Sequence, residues 1–205
     1  MNARLLVATG NRGKLAELAR LFSGLPIELL SPDEVTSVPE VIEDGDTFEA
    51  NARRKAGVVA EVTGMMVLAD DSGLEVDALG GAPGVRSARY AGDGASDADN
   101  NAKLLGALDG VADDARTARF RCVLAVADPG GPLGQRIHIE HGLCEGCILR
   151  APRGDRGFGY DPLFLPSGSD RSMAQLTPSE KDARSHRAAA AMRMRAFLEA
   201  YLPTR

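Results

Sequence analysis

Two short apolar runs constrain this chain more than any other feature. Leu5 to Ala8 stops at Thr9-Gly10-Asn11, and Met65 to Ala69 stops at Asp70-Asp71-Ser72-Gly73. Apolar runs of this length that end in turn formers read as buried strands. Between them the spacing turns helical. Leu15, Leu18, Leu21 and Phe22 mark a first helix, and Phe48, Ala52, Ala56 and Val59 mark the apolar face of a second, after the turn Glu43-Asp44-Gly45-Asp46-Thr47. Pro26, Pro32 and Pro39 break the intervening stretch into strand and loop. Alternating strands and helices imply an α/β protein.

Leu74 and Val76 alternate with polar neighbours, so the chain continues extended beyond the second strand before a loop at Gly80-Gly81-Ala82-Pro83-Gly84. Ser96 is placed to cap a short helix carrying Leu104, Leu105 and Leu108. Ala118, Phe120, Cys122, Leu124 and Val126 alternate as a strand. The turn Pro129-Gly130-Gly131-Pro132 leads to a return strand over Arg136 to Leu143. A loop is expected over residues 153–162. Thr177, Pro178 and Glu180 form a helix start with a capping box, and Ser185 begins a helix toward Tyr201. The hairpin makes the expected sheet mixed. A length of 205 residues, 44% of them hydrophobic, supports one core and a single domain over 1–205, with room for two lobes.

The formal net charge is -5, and the charges are mixed along the chain. No basic block exists to attract duplex nucleic acid or an anionic membrane, so neither is an expected partner. No apolar run approaches the roughly 18 residues that span a bilayer. The apolar stretch before Thr9 is too short for the centre of a signal peptide. Three cysteines, Cys122, Cys144 and Cys147, do not suit a disulfide framework. A cytoplasmic protein is expected.

Cations stand at three expected helix starts: Lys14, Lys181, and His186 with Arg187. The helix dipole disfavours a cation there, so three such ends suggest bound anions, although solvated side chains leaning away from the helix account for the pattern equally well. Thr9 to Lys14 resembles a phosphate loop in position, but it lacks the P-loop glycine pattern. Asp70 and Asp71 are the best candidate for a reactive centre. Adjacent carboxylates at a buried strand end repel each other, and Mg²⁺, which takes one or two carboxylates plus substrate phosphates, relieves that repulsion. One of the pair is expected to hold metal or water and the other to bond backbone. The ordinary alternative is a turn with side chain-to-backbone bonds.

Glu43 could add another oxygen. Thr47, Asn51 and Lys55 make a polar stripe from which Lys55 could reach a phosphate; a solvated face is the commoner outcome. Phe158-Gly159-Tyr160-Asp161 combines a ring, bare backbone and a carboxylate, a set able to stack on a base and bond its edge. His138, His141, Cys144 and Cys147 are spaced by three. In a strand that spacing alternates faces, which argues against a zinc site.

The strings ATGNRGK, EDGDTFEANARRKA, LADDSGLEVDALGGAPGVRSARYAG, GFGYDPLF and SHRAAA occur in one order along nearly the whole chain. In these the chain resembles the inosine triphosphate pyrophosphatase family, the dITP/XTP pyrophosphatases. The resemblance implies a two-lobed α/β fold, with a long mixed sheet flanked by helices and a central substrate groove, in a homodimer. It implies that Asp71 is the catalytic base or water-positioning group near Mg²⁺ and that Glu43 is the second acidic metal ligand. It places Thr9, Gly10, Asn11, Arg12, Gly13 and Lys14 in a phosphate loop, Lys55 at the triphosphate, and Ser72 on the substrate. Phe158, Gly159, Tyr160, Asp161, Lys181, His186 and Arg187 would surround the base and sugar.

The activity so implied is hydrolysis of ITP, dITP and XTP to the monophosphate and pyrophosphate. Water would attack in line, with no covalent enzyme intermediate. A 6-keto purine presents an acceptor and an N1–H donor, and adenine reverses both, so a pocket built for one rejects the other. Arg187 and backbone N–H groups could donate to the 6-oxo group, while Asp161 could accept from the ring. Two other functions fit the same residues: a house-cleaning pyrophosphatase for other modified nucleotides, and a non-catalytic nucleotide-binding protein.

Overall fold

The computed structural model describes residues 2–204. Six strands form one sheet in the order β2-β1-β3-β4-β5-β6. They are β1 (Ala3–Ala8), β2 (Ile27–Leu30), β3 (Met66–Val76), β4 (Thr117–Asp128), β5 (Gly134–Ile148) and β6 (Phe164–Pro166). β1 lies parallel to both β2 and β3, with Leu6 opposite Leu30 on one side and Val67 on the other. β5 and β6 are antiparallel, so the sheet is mixed. The helices are α1 (Arg12–Leu21), α2 (Phe48–Thr63), α3 (Asp97–Ala107), α4 (Pro178–Asp182) and α5 (His186–Tyr201).

The helix boundaries follow local chemistry. Asn11 accepts from the Lys14 N–H to cap α1, and Thr47 accepts from Ala50 N–H to cap α2. Ser96 with Asp99 and Thr177 with Glu180 complete capping boxes at α3 and α4. α2 stops at Gly64, whose φ of 67° is the left-handed conformation that ends helices.

The chain divides into two compact units. The first holds residues 1–71, 122–142 and 187–205, and the second holds 72–121 and 143–186. In the first, Leu5, Val7, Met66, Leu68, Cys122, Leu124 and Val126 form one sheet face. Leu18 and Phe22 from the region of α1, and Ala190, Met194 and Leu198 from α5, pack on it. The alternate strand residues Leu6, Ala8, Val67 and Ala69 are equally buried, and α2 packs against β1 with Ala52, Ala56 and Val59 buried. The second unit has its own core of Leu74, Val76, Leu104, Leu108, Phe120, Tyr160, Leu163 and Phe164.

One expectation is corrected. The second strand does not end at Asp70-Asp71; β3 runs unbroken from Met66 to Val76. The polar residues signal a turn locally, but Lys14 and Arg187, from distant segments, pair with Asp70 and let it stay buried in the strand. β6 went unread because its three residues follow a long loop.

Candidate active site

Because successive strand side chains face opposite ways, Asp70 and Asp71 look out of different faces of the sheet. Asp70 shares the face of Met66 and Leu68 and is fully buried. Its Oδ1 meets Lys14 Nζ at 2.6 Å and its Oδ2 meets Arg187 Nε at 2.7 Å. Arg187 also reaches Glu17 Oε2 through Nη1 at 2.5 Å. Burial works against ionisation of Asp70, but Arg187 and Lys14 together outweigh it and hold the carboxyl well below the usual carboxylate range. The Cys122 thiol, 3.5 Å from the same oxygen, is pushed up by burial and the adjacent carboxylate.

Asp71 faces the other way and is also buried, yet its Oδ2 has no hydrogen-bond partner among the described residues. Burial raises its carboxyl to about 6. Lys14 and a hydrogen bond from Asn51 oppose the rise, Glu43 adds to it, and Lys55 opposes it again. All four groups are therefore near neighbours of this one acid. Lys55 Nζ lies 2.6 Å from Glu43 Oε1 and donates to the Asp70 carbonyl at 3.4 Å. Asn51 is fixed by the turn before α2: its Oδ1 accepts from Gly45 N–H at 2.8 Å. A Cβ on Gly45 would stand 2.7 Å from that oxygen, so the close approach requires glycine here.

The residues fit a divalent ion. A buried carboxylate oxygen without a donor, beside a second carboxylate that raises its proton affinity, is where a hard cation binds favourably. Among the described residues no three His, Cys, Asp or Glu side chains converge as a metal cage. Two carboxylates completed by substrate phosphate oxygens and water is the arrangement Mg²⁺ prefers.

In the second unit the 157–161 loop is organised around Asp161. Its Oδ2 accepts from Phe158 N–H at 3.0 Å and from Lys181 Nζ at 2.5 Å. The same ammonium lies 4.8 Å from the centre of the Phe158 ring. Gly157, at φ 76°, passes so close that a Cβ would strike the Asp161 carboxylate. Gly159 N–H donates to Asp97 and its carbonyl accepts from Asn101. Tyr160 is buried and donates to the Ser87 carbonyl at 2.8 Å, which braces the loop from within. His186 stacks on Phe120 with centroids 4.7 Å apart. Ser72 follows Asp71 in β3, on the Asp70 side of the alternation.

The structure thus brings Lys14, Glu43, Lys55 and Asp71 together. Thr9, Gly10, Asn11, Arg12 and Gly13 form the turn and first helical residues that deliver Lys14, and Asn11 N–H donates to Thr9 Oγ1. Lys14, Lys181 and Arg187, three of the cations expected to signal bound anions, each pair with an internal carboxylate. Arg187 is 1% exposed and bound to Asp70 and Glu17 within the first unit. Glu17 escaped sequence reasoning, and Asn51 and Gly45 were read only as members of a polar stripe and a turn. A buried acid or amide on a helix looks locally like any solvated residue; the spacing of Glu17 from Lys14, three residues along one helix, was the available signal.

The chain is thus an α/β protein with a mixed sheet that carries a buried acidic pair edged by lysines from two helices. The chain belongs to the Ham1 family, whose model matches residues 5–197. It is 54% identical over 184 residues to the dITP/XTP pyrophosphatase of Geobacter sulfurreducens, covering 90% of each chain. It is 53% identical, over the same shares, to the dITP/XTP pyrophosphatase of Desulforamulus reducens. A solved HAM1 protein from Coxiella burnetii superposes with a TM-score of 0.86 at 43% identity, covering 97% of this chain and 99% of that one.

Proposed function

We propose that this chain hydrolyses non-standard purine nucleoside triphosphates such as ITP, dITP and XTP to the monophosphate and pyrophosphate, using Mg²⁺. The observation that carries the reading is the Asp71 oxygen left without a donor, beside Glu43 and within the field of Lys14 and Lys55, in a chain of the Ham1 family.

Glu43 and Asp71 would hold the ion, which when bound supplies charge neutralisation at the phosphates. Lys14 and Lys55 bind the polyphosphate and stabilise the charge that develops on pyrophosphate as it leaves. Asp71 takes or orients the proton of the attacking water. The Thr9–Lys14 turn completes the polyphosphate end.

Within the second unit, the Phe158 ring is the group we assign to stacking on a purine, and the Lys181 ammonium, held by Asp161, the one we assign to its 6-oxo group. Adenine offers an amino group there, which leaves the ammonium unmatched. Gly159, Tyr160 and His186 shape this end. Arg187, which the resemblance places around the base, pairs with Asp70 and Glu17.

We take the protein to act as a homodimer in the cytoplasm, as the family resemblance implies. No helix among the described residues is long and apolar enough to cross a membrane. The net charge of -5 argues against nucleic acid as a partner.

The deciding experiment measures pyrophosphate release from ITP, XTP, dITP, GTP and ATP, with and without Mg²⁺. The reading requires Mg²⁺-dependent release that favours the first three. Equal rates on all five would refute the specificity, and binding without release would leave a nucleotide-binding protein.

A further inference from the structure

One helix holds Gly159 by both of its backbone polar groups. The N–H donates to Asp97 Oδ2 at 2.6 Å, and the carbonyl accepts from Asn101 Nδ2 at 2.9 Å. Asp97 and Asn101 are four residues apart on α3, so they share a face, one turn from each other. Gly159 adopts φ 60°, and a glycine has little conformational preference of its own there, so outside bonds choose its geometry. Packing does not choose it. A Cβ added at Gly159 would meet nothing within 4 Å. A cavity of about 460 Å³ opens between α3 and the loop, bordered by Ala98, Ala102, Leu105, Pro152 and Pro162. Asn101 Oδ1 is sealed from solvent and has no donor among the described residues. An unsatisfied amide oxygen costs stability, and an alanine or leucine would avoid that penalty beside such apolar walls. Flipping the amide would set its oxygen against the Gly159 carbonyl. What the asparagine supplies is the bond to Gly159.

Phe158 precedes Gly159, and the peptide that joins them is the one whose N–H Asp97 holds. On either side the loop is already tied, by Phe158 N–H to Asp161 and by the Tyr160 hydroxyl to the Ser87 carbonyl. The Gly159 clamp closes the one free joint between these ties. We propose that Asp97 and Asn101 are positioning residues for purine binding, which clamp Gly159 and so fix the seat of the Phe158 ring. This rests on the assignment of Phe158 to stacking on the base. Neither side chain has to touch the nucleotide. A ring that drifts from its seat stacks less well in ground state and transition state alike, so KM rises while kcat holds.

The test is steady-state kinetics on the full chain with ITP, together with inhibition by inorganic tripolyphosphate, which carries no base. The variants are D97A, N101A and F158A, and the two doubles D97A/F158A and N101A/F158A. We expect D97A and N101A each to raise KM for ITP by about 3- to 10-fold, the reach of one hydrogen bond, with kcat within about 2-fold of wild type. The Ki of tripolyphosphate should stay constant, because the polyphosphate end is untouched. On the F158A background neither substitution should raise KM further, since the ring they seat is gone.

An unchanged KM in both single variants, a tripolyphosphate Ki that rises in step with KM, or losses that add on the F158A background would each overturn the proposal. So would a lower melting temperature with an unmoved ratio of KM to Ki, which is the mark of a purely structural contact. If D97A does not fold, N101A, which also deletes the unpaired oxygen, decides with its double alone. A wild type that releases no pyrophosphate, or an F158A variant with unchanged KM for ITP, sinks the functional reading and this proposal with it. An F158A variant that weakens ITP while D97A and N101A do not sinks only the clamp.

Discussion

Asp70 and Asp71 are neighbours in β3 with opposite fates: both oxygens of the first are bound by cations, and one oxygen of the second has no donor among the described residues. The difference comes from strand alternation. One face brings α1 and α5 with their cations; the other brings Asn51, Lys55 and Glu43. One acid thereby keeps an oxygen without a donor while its twin is held ionised.

Asp71→Asn should therefore remove turnover while leaving nucleotide binding intact. A positioned base is worth roughly 10²–10⁴-fold, and that is the expected fall in kcat. Pyrophosphate release checks the loss, and calorimetric titration with ITP checks retained binding. Near-normal turnover would show that another group handles the water.

The same acid should make stability depend on pH. Its folded value of about 6 lies above the ordinary 3.8, so the folded chain holds this proton more tightly than the unfolded chain. Without metal, the wild type should lose stability as pH rises from about 4 to about 6, by at most roughly 3 kcal/mol. Above that the penalty is complete. Melts in EDTA should show Asp71→Asn gaining on the wild type across this window and holding a constant lead above it. A lead that does not change with pH would contradict the cause given.

Glu43→Gln should raise the Mg²⁺ concentration needed for half-maximal rate by about 10-fold or more, because one of two anionic oxygen donors is replaced by a neutral amide. Chelating Mg²⁺ should abolish wild-type turnover. Titration of rate against Mg²⁺ provides the check, and an unchanged requirement would remove Glu43 from the metal.

Gly45→Ala places a methyl 2.7 Å from Asn51 Oδ1 and 3.1 Å from the Ala50 Cβ. Neither can yield freely, since Asn51 is buried and Ala50 belongs to α2. Overpacking of this kind costs about 1–3 kcal/mol. The turn that carries Glu43 should shift, so kcat and melting temperature should fall together. An active, equally stable variant would mean that the turn relaxes without cost.

Gly157→Ala collides with the Asp161 carboxylate and requires a side chain at φ 76°. The carboxylate should move off Lys181, loosening the ammonium that reads the 6-oxo group. The expected outcome is a lower ITP-to-ATP ratio of kcat/KM, and an unchanged ratio would separate Asp161 from specificity.

The helix starts were legible because their signals are local. Ser96, Thr177 and the turn before α2 carry their capping chemistry within four residues. The strands β1 and β4 were legible because an apolar run or a strict alternation needs no knowledge of partners. β3 was cut short in the reading because Asp-Asp-Ser-Gly has the composition of a turn. What keeps it a strand are Lys14 and Arg187, which no local window contains.

The site divides in the same way. Lys14, Glu43, Lys55 and Asp71 were visible as charges of the right kind and order. Glu17 was not, because an acid one turn beyond a lysine on an amphipathic helix ordinarily faces water. The partners of Arg187, Asp70 and Glu17, were not legible, since sequence order does not reveal which carboxylate a cation meets.

The unbroken run of β3 has a consequence for how this chain tolerates change. Inserting or deleting a single residue between Met66 and Asp70 would rotate everything beyond it by half a pleat. The tethered acid would then point toward Glu43, and its neighbour would be buried against the guanidinium. Composition would be untouched and every motif still readable, yet the chemistry would face the wrong side of the sheet.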